Sequence, residues 1–221
     1  MKIEFLTLYS SRIKDQLAFY NNILGLPIKN KKATSFQVSI GYTVLEFRQD
    51  DSATPYHLAV HIPAKREAPA LAWLKERVAI LKDKGKEIID FPAWKARSVY
   101  FYDKDHNIVE LISRTDLFPS GPAGFSEEGF IGVSEIGIAT GDVEDKFQFL
   151  NDQFGLQKFS GDYTRFCATG DDEGLFIIIN KDVKDWIPAG DTAFASPFEI
   201  EFSIKGASSR LSFFNDRLHT L

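Results

Sequence analysis

The segments "QLAFYNNILGLPI" (Gln16–Ile28) and "KFQFLNDQFGLQKF" (Lys146–Phe159) carry one pattern at two places in the chain. Each has apolar residues at helical spacing, then a Gly-Leu stop. Aligning Gly25 with Gly155 gives an offset of 130 residues. The same offset sets "KIEFLTLYS" opposite "GVSEIGIAT", and Phe36 opposite Phe166. A fixed period of this kind marks a copied unit. The unit reads strand, helix, then shorter strands of period 2, so that "TVLEFR" corresponds to "LFIIIN" after a two-residue shift.

A further unit of the same order lies between these copies. Its strand "YHLAVHIP" is followed by a predicted helix "APALAWLKERVAILKDKG", and then by "KEIIDF", "SVYFYD" and "NIVELIS". A fourth begins at "FEIEFSI", where only a helix-like "SSRLSFFNDRLHTL" follows, so this unit reads as incomplete. The Pro, Gly and Ser of residues 116–130 read as a linker. The expected organisation is a paired-module domain over 1–115, the linker, and a second, degenerate half over 131–221.

In "DKDHNIVELIS" (Asp103–Ser113) a turn runs into a short apolar strand. Asp, Asn and His tolerate the positive φ of such a turn. Alternation then puts Ile108, Glu110 and Ile112 on one face and Val109 and Leu111 on the other. A carboxylate set among isoleucines is costly unless it is paired, hydrogen-bonded or bound to a cation.

With 221 residues, the chain can form one large domain or two of about 100 residues each. Its net charge of −5 and lack of a basic stripe argue against nucleic acid as a partner. No segment reads as a signal peptide or approaches the roughly 20 apolar residues of a membrane span. The single cysteine, Cys167, excludes an intramolecular disulfide and reads as a buried strand residue. The expectation is a cytoplasmic protein.

The order strand, helix, three strands, repeated in pairs, with "LAFYNNILGL" in the first helix and "YFYDKDHNIVEL" closing the second unit, resembles the vicinal oxygen chelate superfamily. That group includes glyoxalase I, extradiol dioxygenases, methylmalonyl-CoA epimerase and metal-free bleomycin-binding proteins. The likeness extends over residues 1–115 and 131–181 and fades beyond. The turn departs from the usual Asp-Pro-Asp-Gly-Asn, with His106 at the glycine. The resemblance implies an α+β fold of paired βαβββ modules, curved mixed sheets forming cups with helices outside, in two tandem halves.

It also implies a divalent metal in the cup, held from the first and last strands of each module. In the first pair those positions are Phe5, Glu46, His57 and Glu110, of which Glu46, His57 and Glu110 can bind Mn, Fe(II), Ni, Co or Zn. Parity agrees for His57, which shares a face with Ala59 and His61 opposite Leu58, Val60 and Ile62. Phe5, where the family places His or Gln, argues against oxygen-dependent ring cleavage. In the second half the positions are Glu135, Ile178 and Glu199, a poor set for a transition metal. His61, on the same face, is a candidate irregular fourth ligand or general base, the latter beside Glu110. Tyr9, Tyr100 and Tyr102, with Phe5, are candidates for contact with a ligand.

Two functions follow. One is a metal-dependent isomerase, epimerase or lyase acting on a small oxygen-rich metabolite, with Glu110 or His61 moving a proton. The other is a metal-free, drug-sequestering protein whose cup holds an aromatic or cationic small molecule, the acids giving charge complementarity. A homodimer is expected if another subunit supplies strands missing from the fourth unit. "TGDDEG" (Thr169–Gly174) reads as a hairpin turn and "LKDKGKE" as the solvated end of a helix.

Overall fold

The structure, a computed structural model, describes residues 1–221. Four modules follow one another. The first contains β1 (Lys2–Ser10), α1 (Ile13–Ala18) continued by a π-helical turn (Phe19–Ile23), β2 (Ile28–Lys29), β3 (Ser35–Ile40) and β4 (Thr43–Gln49). The second contains β5 (His57–Ile62), α2 (Glu67–Lys75), β6 (Ile80–Leu81), β7 (Ile89–Phe91), β8 (Ala96–Tyr102) and β9 (Ile108–Arg114). The third contains β10 (Gly132–Thr140), α3 (Val143–Phe154), β11 (Lys158–Gly161), β12 (Phe166–Asp171) and β13 (Gly174–Asn180). The fourth has strands only: β14 (Phe198–Ile204), β15 (Ala207–Phe214) and β16 (Arg217–Thr220).

Helix ends follow local chemistry. Asp142 caps α3 by accepting from the Asp145 N–H at 2.9 Å, and Gly155 ends it at φ 68°, a conformation that favours glycine. The second helix is shorter than its pattern predicts. Beyond Lys75 the β-branched Ile80 enters β6, which pairs with β8, and "LKDKGKE" runs out of that strand into a turn at Lys84 and Gly85. The tail is likewise a hairpin and not a helix. Leu211 and Phe213 alternate with polar residues at period 2, and Asn215 and Asp216 take positive φ at the turn.

The modules pair as first with fourth and second with third. One sheet has the order β16-β15-β14-β1-β4-β3-β2; the other runs β11-β12-β13-β10-β5-β9-β8-β6, with β7 beside β8. Strand β1 lies antiparallel to β14, and β5 antiparallel to β10. Both curled sheets therefore cross the 116–130 segment, and neither belongs to 1–115 alone. The segment after β14 that was expected to be helical forms the strands β15 and β16, so the fourth module has three strands and no helix.

The apolar faces of both sheets and the helices share one core. Leu58, Val60 and Ile62 of β5, Val109 and Leu111 of β9, Leu45 and Phe47 of β4, and Phe19, Leu74 and Leu150 of the helical segments belong to it. Phe176 of β13 meets Phe202 of β14 edge-on at 5.7 Å, joining the sheets directly. The opposite, concave faces are left to carry chemistry.

Candidate functional site

On the concave face of the second sheet, parity acts as the sequence suggests. His57 and Ala59 face the cup from β5, and Glu110 faces it from the neighbouring β9. The third member of the group, its second acid, comes from across the pseudo-symmetric seam. Strand β10 places Glu135 against Ala59, and His57, Glu110 and Glu135 bring ligand atoms within 4.8 Å of one another, all buried. Donors around one ion at bond lengths of ~2.1 Å stand up to ~4.2 Å apart, so the group is near the span a shared cation needs.

The three residues are under-satisfied by protein alone. His57 makes no hydrogen bond: its Nε2 stands 3.6 Å from Glu110 Oε2, and its buried Nδ1 has no partner. Burial, then the Lys184 ammonium, pulls the imidazole down to about 3, so it is neutral and able to offer a lone pair. Glu110 accepts from the Ser98 hydroxyl at 2.5 Å, with the Tyr100 hydroxyl beside it. Glu135 accepts from Arg114 Nη2 at 3.3 Å. Burial raises both carboxyls above the ordinary carboxylate range, and the Glu110 charge adds to the rise at Glu135. A buried, unpartnered imidazole beside two buried carboxylates is a donor set that fits a divalent ion.

Above this floor is a cavity of about 340 Å³ with largely apolar walls. Trp186, from the connection between β13 and β14, lies over His57 with ring centroids 4.9 Å apart. Gly137 makes room for it, since a Cβ there would stand 2.7 Å from the indole. Trp94, Phe91, Phe166 and Tyr100 complete the aromatic lining.

The other expected residues are placed elsewhere. Glu46 faces the concave side of the first sheet, where Arg48 holds it at 2.7 Å, Gln37 donates to it at 3.0 Å, and Arg48 also reaches Glu199 at 3.3 Å. The structure therefore does not bring Glu46 to His57 and Glu110; module pairing separates them. Phe5 and Tyr9 lie on that same first sheet, and Ile178 points into the core. Tyr100 lines the cavity, whereas Tyr102 donates its hydroxyl to Asp191 at 2.6 Å. Arg114, Trp186 and Lys184 were not legible as site residues. Glu135 was visible as the counterpart of Phe5 but was assigned to the other cup.

His61 is on the correct face but outside the cavity. Its Nε2 is 3.3 Å from the Glu173 carbonyl oxygen and its ring meets Phe118 edge-on. Burial, then Arg114, lowers it from 6.5 to about 3. The unfolded chain takes up a proton there near pH 6.5, which the folded chain refuses until about pH 3, so the stability is fully present above 6.5 and is lost as pH falls through that window. Between about pH 7 and about pH 5 the parent should lose ~2 kcal/mol more than His61→Gln in urea unfolding. Parallel losses in the two proteins would refute this.

No family model and no curated protein matches the chain. Solved structures do. A putative dioxygenase from Bacillus subtilis superposes with a TM-score of 0.58 at 15% identity, over 81% of this chain and 63% of that one. Glyoxalase I from Zea mays gives 0.53 at 13% identity, over 80% of this chain and 66% of the maize protein. The chain thus spans less than two thirds of the Bacillus protein's length, and at these identities the likeness concerns fold. No helix is long and apolar enough to cross a membrane. In its module order and its two curled sheets, the chain has a glyoxalase/dioxygenase-like fold.

Proposed function

We propose that the chain is a divalent-metal-dependent enzyme of isomerase, epimerase or lyase type, acting on a small oxygen-rich metabolite. The observation that carries this reading is the buried group His57, Glu110 and Glu135 at the floor of a cavity large enough for a small molecule. These three residues would hold the ion. When bound, it supplies a Lewis acid for two neighbouring substrate oxygens.

The chain's own residues do the rest. Ser98 and Tyr100 orient Glu110, and Arg114 orients Glu135. Trp186 and the aromatic walls exclude water, which strengthens charge interactions inside. Glu110 is the proposed proton carrier, since a carboxylate fixed on the cavity floor can take a proton from a substrate atom and return it. His61 stands outside the cavity and is not given this role. One histidine with two carboxylates departs from the two-His, one-carboxylate set of non-haem iron oxygenases, which favours isomerisation or elimination over ring cleavage.

A second reading, a metal-free binding protein, is favoured by the aromatic cavity lining. Metal stoichiometry decides between them. Protein purified without chelator and titrated with Mn, Fe(II), Ni, Co and Zn should hold about one ion per chain. Failure to retain any of the five would move the assignment to the binding protein.

A further inference from the structure

Lys184 is the one cationic side chain among the residues lining the cavity, and no acid holds it. Other cations find partners: Lys181, close in sequence, pairs with Asp182 at 3.5 Å, and Arg114 with Glu135 and Asp172. Lys184 Nζ forms neither a salt bridge nor a hydrogen bond. Its nearest aromatic contact is the ring of Phe166, 5.7 Å from the centroid. The side chain is half-buried, and burial, then Arg165, lowers its pKa against the smaller opposing pull of Asp185, which does not bond to it. The ammonium is also felt at His57, on the cavity floor. A partly desolvated cation with no bonded counter-charge is costly, and lysines on open surfaces avoid the cost by turning to water.

Charge balance indicates what would relieve it. The carboxylates lining the cavity are Glu110 and Glu135, and a divalent ion on them would cancel their charge. His57 is neutral. Arg114, next to the floor, already has Asp172 as a second partner. The uncompensated charge left in the cavity is then that of Lys184. Around it stand Trp94, Phe91, Phe166, Trp186, Ile177 and Ile187, a wall suited to a flat apolar body.

We infer that the cavity takes an aromatic or similarly flat apolar acid, its anionic group paired with Lys184 and its oxygens directed at the His57, Glu110 and Glu135 floor. This rests on the functional reading above for the cavity being a substrate site, but it is testable apart from it.

Trp94 and Trp186 line the cavity and report occupancy by fluorescence quenching. Benzoate and its uncharged counterpart benzamide, titrated into the Mn-loaded chain, should differ about tenfold or more in favour of the acid, the worth of a charge-assisted hydrogen bond. Lys184→Gln should remove that preference while leaving benzamide binding within about twofold, and Lys184→Arg should restore most of it. Equal binding of acid and amide by the parent, or a preference that survives Lys184→Gln, overturns the inference. Metal content measured on the same samples keeps the two claims separate: a chain that holds its ion but ignores charge refutes only the anion site. A chain that holds no ion, yet loses its acid preference on Lys184→Gln, refutes only the metal.

Discussion

His57→Ala is expected to weaken divalent-metal binding by about 100-fold or more, to the point where the ion is lost on gel filtration, and Glu135→Gln should do nearly the same. Altering residues that only orient ligands typically costs 10- to 100-fold, and removing one of three ligands should cost at least as much. The loss should be specific. Glu46→Gln, which removes an acid held by Arg48 on the other sheet, should leave affinity within about twofold. This pattern separates the two ways of pairing the modules as well as the two functional readings. Were the cup built from the first two modules, Glu46 would be a ligand and Glu135 a bystander. Titration calorimetry on the four proteins, with circular dichroism to establish folding, checks it. Retained affinity in His57→Ala would remove the site.

Local features of the fold were legible because they rest on period and turn chemistry. The 130-residue repeat, the two faces of β5 and β9, and the positive φ of His106 in its turn (60°) are all properties of a few neighbouring residues. Two segments misled for the same reason. Around Val78 and Ile80 the helical pattern was a continuation of α2 that strand pairing with β8 interrupts, and the terminal "SSRLSFFNDRLHTL" fits either period until its Asn-Asp turn is given weight.

The partnership of modules could not be read in the same way. Strands β1, β5, β10 and β14 open equivalent units, and nothing in any one of them states which other it will join. That choice is made by long-range packing, such as Phe176 on Phe202 between the sheets and Phe154 on Phe202 beneath α3. It decided the candidate site: His57 and Glu110 share a module and were found together, whereas their third partner depends on which module lies across the seam. Trp186 and Lys184 escaped notice because they arrive from a connection with no period to read.

Asp103→Ala should destabilise the fold by about 3–5 kcal/mol, the largest stability loss expected of any substitution away from the apolar core. The buried Asp103 carboxylate accepts from the backbone N–H groups of Asp105 and Asn107, each at 3.0 Å, and from Asn107 Nδ2 at 2.8 Å. It also accepts from Gln16 Nε2 and from the Tyr20 hydroxyl at 3.1 Å, which belong to the helical segment of the first module. Alanine would leave those donors buried and unpaired, each at about 1 kcal/mol. Asp103→Asn keeps an acceptor and should lose roughly half as much. The turn that Asp103 closes also sets how β8 meets β9, with Tyr100 opposite Glu110 and Ser98 opposite Ile112. Side chains alternate along a strand, so a slip of one residue would turn Glu110 into the core and Val109 into the cup. Denaturant unfolding with and without Mn checks both consequences: a loss below about 1 kcal/mol would show that the donors find water, and undiminished metal binding in a destabilised Asp103→Ala would show that the register survives without the turn.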